Sequence, residues 1–116
     1  MATIATVEEF LKAFKVKTKT FGMVIYPRSE NIDALLIYGI NSVQRQEYIM
    51  SMTYLNYYKG PRKDNDNPKL PDYLEFGTIV NSCDVYVKLS LGFFSNSTIC
   101  MSFHPPIRPI IYPLKN

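Results

Sequence analysis

The stretch that decides the fold is "DVYVKLSLGFFSNSTICMSFHPP", residues 84–106. It holds two runs of alternating apolar and polar residues joined by a polar loop, a pattern typical of a β-hairpin with one buried face. The apolar residues are expected to share that buried face: Val85, Val87, Leu89 and Leu91 from the first strand, and Ile99, Met101 and Phe103 from the second. The opposite face would then carry Tyr86, Lys88, Ser90, Cys100, Ser102 and His104.

The only histidine of the chain, His104, ends this hairpin. Shifting the strand pairing by one residue would turn one strand over and move its apolar side chains to the opposite face of the sheet. The registers in which both apolar faces meet the same helices therefore differ from one another by two residues. One such register places Tyr86 opposite His104 and Lys88 opposite Ser102, whereas another places Asp84 opposite His104. In either register an imidazole, a phenol and an ammonium gather on the exposed face of the sheet. These groups can transfer protons and neutralise a phosphate.

A further β-run, "YLEFGTIV" at residues 73–80, precedes the hairpin, and helical patterns occupy the N-terminal half of the chain. Three successive β-runs with short links favour an antiparallel meander. We therefore expect one α+β domain over residues 1–116, with N-terminal helices packed on one face of a C-terminal antiparallel β-meander.

The first helix is expected to begin at Thr6, which forms a capping box with Glu9. An apolar stripe follows at Val7, Phe10, Leu11 and Phe14. The alternating "VKTKT" at residues 16–20 and the β-branched, aromatic "FGMVIYP" at residues 21–27 predict strand, with a helix as the alternative.

Two shorter helices are predicted next. "RSENIDALLIYG" is expected to end at Gly39, and Asn41 or Ser42 caps the helix "VQRQEYIMSM". In this third helix the residues expected to face inward are Val43, Ile49 and Met52, and those expected to face outward are Arg45, Gln46 and Glu47.

Residues 54–72, "YLNYYKGPRKDNDNPKLPD", are expected to form a long irregular loop, because Gly60 and three prolines interrupt any regular element. Long loops in small domains are often functional. This one carries three tyrosines and four cationic residues, Lys59, Arg62, Lys63 and Lys69.

Composition limits the class of protein. The 116 residues are 47% apolar and 20% charged, with a net charge of +3, well short of the footprint of a heavily basic nucleic-acid binder. The two cysteines form no CxxC pair or disulfide framework, which favours a reducing cytosol. The N-terminus resembles no secretory signal, and no apolar run approaches the ~20 residues of a membrane helix. We expect a cytoplasmic protein without a membrane segment.

Metal and thiol chemistry have weak support in the sequence. Cys100 and His104 lie about 13 Å apart along one strand, too far for a thiolate–imidazolium pair. One histidine and two distant cysteines do not make a zinc site. "DNDNPKLPDYLE" resembles a calcium loop only superficially, because Lys69 stands where the loop needs glycine. No metal and no cofactor are therefore predicted.

Several segments resemble the motility quorum-sensing regulator (MqsR) family of type II toxins, which share the RelE-like ribonuclease fold. "VYVKLSLG" and "STICMSFH" look like its last two strands, "VEEFLKAFKVKTKT" like its opening helix and basic strand, and "GINSVQRQEYIMSMT" like its glycine–small-residue helix. The "YYKGP" turn and the "SFHPPIRPIIYPLK" tail resemble Bacteroidales-type members. Together these segments cover nearly the whole chain.

The resemblance implies a toxin-like domain that cleaves messenger RNA and is silenced by a cognate antitoxin. The family's strand tyrosine falls on Tyr86, and its C-terminal catalytic lysine falls on His104. Two positions depart from the family pattern: its lysine before Ser-Met-Thr falls on Met50, and its strand glutamine has no clear counterpart near "YLEFG". The family mechanism therefore cannot be carried over whole.

The predicted chemistry is metal-independent cleavage of RNA through a 2′,3′-cyclic phosphate. His104 would act as acid or base, since imidazole has an ordinary pKa of about 6.5. Tyr86 would be its partner or a phosphate donor, and Lys88 would stabilise charge. The residues predicted to bind RNA are Arg45, Tyr57, Tyr58, Lys59, Arg62 and Lys63, the two tyrosines by stacking on bases. The alternative is a non-catalytic RNA- or protein-binding module of the same fold.

Overall fold

The structure is a computed structural model, and it describes residues 1–115. Three helices and a five-stranded mixed sheet make an α+β fold. The elements are α1 Ile4–Phe21, β1 Met23–Ile25, α2 Ser29–Tyr38, α3 Ser42–Met50, a short 3₁₀ turn Tyr54–Asn56, β2 Tyr57–Arg62, β3 Tyr73–Val80, β4 Cys83–Ser90 and β5 Thr98–His104. Among these residues, no helix combines the length and apolar character that a membrane crossing requires.

Helix α1 is longer than predicted at both ends. Its N-cap is Thr3, whose hydroxyl accepts from the Thr6 backbone N–H, so Thr6 is the third helical residue and not the cap. The segment 16–20, predicted as strand, continues the helix to Phe21. The segment is helical because Thr18 extends the buried stripe of α1. Thr18 follows Phe14 at helical spacing, and its hydroxyl lies 2.7 Å from that of Thr98.

The sheet is mixed rather than purely antiparallel, which corrects the predicted meander. Its strand order is β1-β5-β4-β3-β2, and β1 runs parallel to β5 while the other neighbours are antiparallel. The "FGMVIYP" segment thus does join the sheet, through β1. Immediately before β1, the Thr98 N–H donates to the Gly22 carbonyl where α1 ends, and this contact helps to align the two strands.

Part of the predicted loop is also strand. Residues 57–62 form β2, the edge strand that pairs with β3 through two register shifts. An edge position tolerates Pro61, because the missing N–H is not needed by a further strand.

One bulge changes which side chains of β5 face the helices. Lys88 pairs with Ser102, but the next pair is Leu89 with Cys100, so Met101 has no partner on β4. As a result Cys100 joins the helix-side core with Phe103 and Leu89, whereas Ile99 and Met101 pack on the other face, opposite to their prediction. Ile49 of α3 and Met52, which follows the helix, are buried as expected, but Val43 of α3 is exposed.

Asn31, on α2, hydrogen-bonds to the edge of β5 at residues beyond the end of the short strand β1. Its side chain is fully buried; the amide donates to the Tyr26 and Met101 carbonyls, and the amide oxygen accepts from the Phe103 N–H. It thus serves in place of a neighbouring strand where β1 has ended.

Replacing Asn31 by alanine should lower the free energy of unfolding by about 3 kcal/mol, because buried backbone groups of β5 lose their partners. Urea denaturation followed by circular dichroism measures the change. Asn65→Ala, at an exposed loop position, is the control and should differ from the parent by less than about 0.5 kcal/mol. Equal stabilities for both variants would contradict this role of Asn31.

Candidate active-site cleft

The candidate site lies on the sheet face that points away from the helices. Strand alternation places Glu75 and Gly77 of β3 beside Tyr86 and Lys88 of β4 on this face, in the register Glu75–Lys88 and Gly77–Tyr86. Leu70 of the loop before β3 packs with Ile99 and Met101 at one end of the face.

The C-terminal segment after β5 crosses the other end of this face at Gly77. A Cβ atom at this glycine would lie only 2.7 Å from Ile110 and from the Tyr112 hydroxyl, so the absence of a side chain lets the segment pack directly on the strand. A cleft of about 280 Å³ lies on this face beside the start of the C-terminal segment. Its lining residues are Tyr58, Lys59, Glu75, Tyr86, His104, Pro106, Ile107 and Arg108.

Tyr86 contacts both Glu75 and His104 in the cleft. Its hydroxyl donates to Glu75 Oε1 at 2.6 Å, and its ring centroid lies 5.4 Å from that of His104. Burial, and then the hydrogen bond to the Glu75 carboxylate, raise the pKa of Tyr86 far above its ordinary value. The phenol therefore stays protonated near neutrality and acts as a donor.

Glu75 is the most unusual group in the cleft, because it is a carboxylate that is only 7% exposed. Its second oxygen, Oε2, is buried and has no hydrogen-bond partner among the described residues. The Arg62 Nε lies 3.7 Å from this oxygen, an ion-pair distance that is too long for a hydrogen bond. One oxygen of Glu75 is thus held by Tyr86, and the other is buried without a hydrogen-bond donor.

His104 stands at the end of β5, partly exposed, directly opposite Tyr86. Its Nδ1 lies 2.9 Å from the Pro105 carbonyl oxygen. Since a carbonyl oxygen only accepts, Nδ1 carries the proton in this contact, and Nε2 is the nitrogen at which a second proton is gained or lost.

The structure brings together four of the predicted residues. His104, Tyr86, Tyr58 and Lys59 all line the cleft, and Arg62 reaches it through Glu75. Of the two registers considered for the hairpin, the structure has the one that pairs Tyr86 with His104 and Lys88 with Ser102. Tyr58 meets the Tyr86 ring edge-on at 6.5 Å, and the Lys59 ammonium lies 4.8 Å from the Tyr58 ring centroid.

Two predicted RNA-binding residues are instead part of the core. Tyr57 is 1% exposed, packs edge-on against Phe76 and donates its hydroxyl to the Gly60 carbonyl, so it cannot stack on a base. Arg45 was expected to face outward but is 8% exposed, because its guanidinium donates to the Asn31 carbonyl and lies over the Phe103 ring.

Two predicted lysines lie outside the cleft lining. Lys63 is ion-paired with Asp72 at 3.4 Å in the loop before β3. Lys88 is on the correct sheet face but farther along β4, with its ammonium 4.6 Å from the Tyr73 ring centroid. Lys88 is therefore not among the residues that line the cleft.

Sequence reasoning missed Glu75 and Arg108. The alternation in "YLEFG" already indicates that Glu75 shares a face with Tyr73 and Gly77, opposite the apolar Leu74 and Phe76. A carboxylate in the middle of a strand, between two hydrophobic residues, was the signal. Arg108 belongs to a proline-rich tail whose pattern carries no comparable signal.

No group of three or more His, Cys, Asp or Glu side chains is placed to hold a metal ion within residues 1–115. Comparison with protein-family models, curated proteins and solved structures gives no match to this chain. The geometry of the cleft is therefore the basis for assigning a function.

Proposed function

We propose that the protein is a metal-independent endoribonuclease in which Glu75 and His104 exchange protons with RNA across the cleft. The observation that carries this proposal is the linked set of side chains: the Tyr86 hydroxyl holds the Glu75 carboxylate, and the Tyr86 ring packs beside the His104 imidazole. A base and an acid that line the same small cleft suit cleavage of a phosphodiester by its own 2′-hydroxyl.

The proposed reaction balances without any further reactant. The ribose 2′-oxygen attacks the adjacent phosphorus while Glu75 takes the 2′-hydroxyl proton. The bond from phosphorus to the 5′-oxygen breaks, and the His104 imidazolium gives its Nε2 proton to that oxygen. The products are a 2′,3′-cyclic phosphate and a free 5′-hydroxyl. A ribose 2′-hydroxyl is required, so DNA would not be cleaved.

Cations around the cleft would stabilise the charge that develops on the phosphate. Lys59 and Arg108 line the cleft, and Arg62 lies over Glu75 Oε2 with its side chain 56% exposed. When Arg62 moves from Glu75 to a bound phosphate, it uncovers the carboxylate oxygen that receives the proton. Substrate binding would thereby prepare the base.

Tyr86 acts in this scheme through Glu75, as a positioning residue. Tyr86→Phe should lower kcat for RNA cleavage roughly tenfold with little change in KM, because the carboxylate loses the hydrogen bond that orients it. Single-turnover kinetics on a short RNA measures this. Tyr48→Phe, at a partly buried position of α3 outside the cleft, is the matched control; a Tyr86→Phe enzyme as fast as this control would argue against the role.

The biological setting that we propose is a type II toxin–antitoxin system. It is supported by the resemblance of the chain to MqsR-like toxins of RelE-like fold, with messenger RNA as substrate, a cognate antitoxin as partner and the cytoplasm as location. Met50, at the position of a family lysine, packs partly buried against the helix-side core. The chemistry proposed for this chain therefore depends on Glu75 and His104 and not on that lysine.

One observation favours the alternative of a non-catalytic RNA- or protein-binding module. Glu75 already has Tyr86 and Arg62 as partners, as in polar networks that only stabilise a fold. The two functions differ in what happens to bound RNA, so they can be separated by one experiment.

The test is to incubate the purified protein with a long single-stranded RNA in the presence of EDTA and to analyse the ends of the products. The proposal requires cleavage that leaves 2′,3′-cyclic phosphate and 5′-hydroxyl ends, and no cleavage of DNA of the same sequence. RNA that is bound in a salt-sensitive way but stays intact would overturn it in favour of the binding module.

A further inference from the structure

Beyond the cleft, the same sheet face carries two cations that each lie over a tyrosine ring. The Lys88 ammonium is 4.6 Å from the Tyr73 ring centroid, and the Arg28 guanidinium carbon is 5.4 Å from that of Tyr26. Both tyrosines pack on one small cluster formed by Leu70, Ile99 and Met101. The two cations therefore lie over neighbouring tyrosine rings, above the same part of the sheet.

Neither cation is neutralised by a direct partner. Among residues 1–115, the side chains of Arg28 and Lys88 form no ion pair and donate no hydrogen bond to another residue, although Glu30 acts on Arg28 at longer range, as do Glu75, Asp64 and Asp66 on Lys88. Burial, and then the nearby Arg28 guanidinium, lower the pKa of Lys88. Both cations are partly buried, so their attraction for an anion between them would be screened less by water than at a fully exposed site.

The position of this pair relative to the cleft suits an RNA strand. Lys88 follows Tyr86 by two residues on β4 and points to the same face, so it lies about 6.6 Å farther along the strand. This is comparable to the separation of successive phosphates in an extended single strand. A phosphate next to the one in the cleft would thus reach the pair.

We propose that Arg28 and Lys88 form a second phosphate subsite, which binds the phosphate adjacent to the scissile one in single-stranded RNA. This rests on the proposed function, which places the scissile phosphate beside His104. The planar guanidinium of Arg28 offers paired donors to a phosphate, and Lys88 adds a point charge. Lys88 thereby has a role in binding substrate, in place of the catalytic role first predicted for it.

The experiment uses dinucleotides whose 2′-hydroxyl is methylated, so that they bind without being cleaved, and adds a terminal phosphate to either the 5′ or the 3′ end. Comparing phosphorylated with unphosphorylated forms isolates the contribution of one phosphate from that of a further base. In the parent protein one of the two terminal phosphates should tighten binding about tenfold, as expected for a charged hydrogen bond. Isothermal titration calorimetry at low salt measures the gain.

Lys88→Met and Arg28→Met should each lose most of this gain, and Lys88→Arg should retain it. Lys12→Met, which removes the same charge from the exposed surface of α1, is the matched control and should keep the full gain. The proposal is overturned if neither terminal phosphate tightens binding in the parent protein, or if both methionine variants keep the gain. Because no cleavage is measured, this result stands apart from the outcome of the nuclease assay.

Discussion

His104→Ala should reduce the rate of RNA cleavage by about 10²–10⁴-fold, the usual contribution of a positioned acid or base. The imidazole is the only group in the cleft that is proposed to protonate the leaving 5′-oxygen, and the chain has no second histidine to replace it. Single-turnover kinetics with excess enzyme measures the chemical step directly, and cyclic-phosphate ends identify the product.

The control for this variant is Gln46→Ala, at an exposed position on the outer face of α3. It should cleave RNA at the parent rate. His104 is partly exposed and is not part of either core cluster, so the alanine variant should keep the circular dichroism spectrum and the thermal midpoint of the parent. A folded His104→Ala protein with parental activity would remove the imidazole from the mechanism.

Glu75→Gln should have an effect of similar size, about 10²–10⁴-fold on kcat. The glutamine keeps the shape of the side chain and can still accept a hydrogen bond from Tyr86, but it cannot take the 2′-hydroxyl proton. RNA should still bind, with KM within about threefold of the parent, because the phosphate contacts are unchanged. Measuring kcat and KM on one short RNA separates the two quantities.

Glu8→Gln, at an exposed position on α1, makes the same chemical change outside the cleft and should leave both constants unaltered. A Glu75→Gln protein that loses affinity but not kcat would show that the carboxylate recognises the substrate and does not remove the proton. In that case another group in the cleft would have to serve as the base.

The hairpin could be predicted from the sequence because apolar and polar residues alternate strongly along both strands. Tyr86, Lys88 and His104 were predicted to lie on one face of the sheet because side chains alternate between the two faces along each strand. The register that pairs Tyr86 with His104 was one of only two considered. The bulge at Met101 was not readable, because an extra residue in a strand leaves no mark on local composition. Its effect was confined to the start of β5, so the side chains at the His104 end of the strand lie on the faces that were predicted.

Other errors arose where tertiary contacts override local pattern. "VKTKT" alternates like a strand, but burial of Thr18 against Thr98 keeps it helical. Arg45 reads as an outward helix residue, yet the Asn31 carbonyl gives it a buried partner that no local pattern shows. Glu75 could be placed in the cleft only once the pairing of β3 with β4 was known, because facing alone does not say which side chains become neighbours.

The most direct test of the central claim, that Glu75 is the base and His104 the acid of one reaction, uses a substrate whose leaving group needs no proton. Nucleoside 3′-(4-nitrophenyl phosphates) of all four bases provide one, because nitrophenolate leaves without an acid. We predict that His104→Ala, which is severely impaired on RNA, cleaves at least one of these esters at nearly the parental rate, while Glu75→Gln is impaired on both substrates. Equal impairment of His104→Ala on both substrates, or recovery of Glu75→Gln on the activated ester, would contradict the assignment.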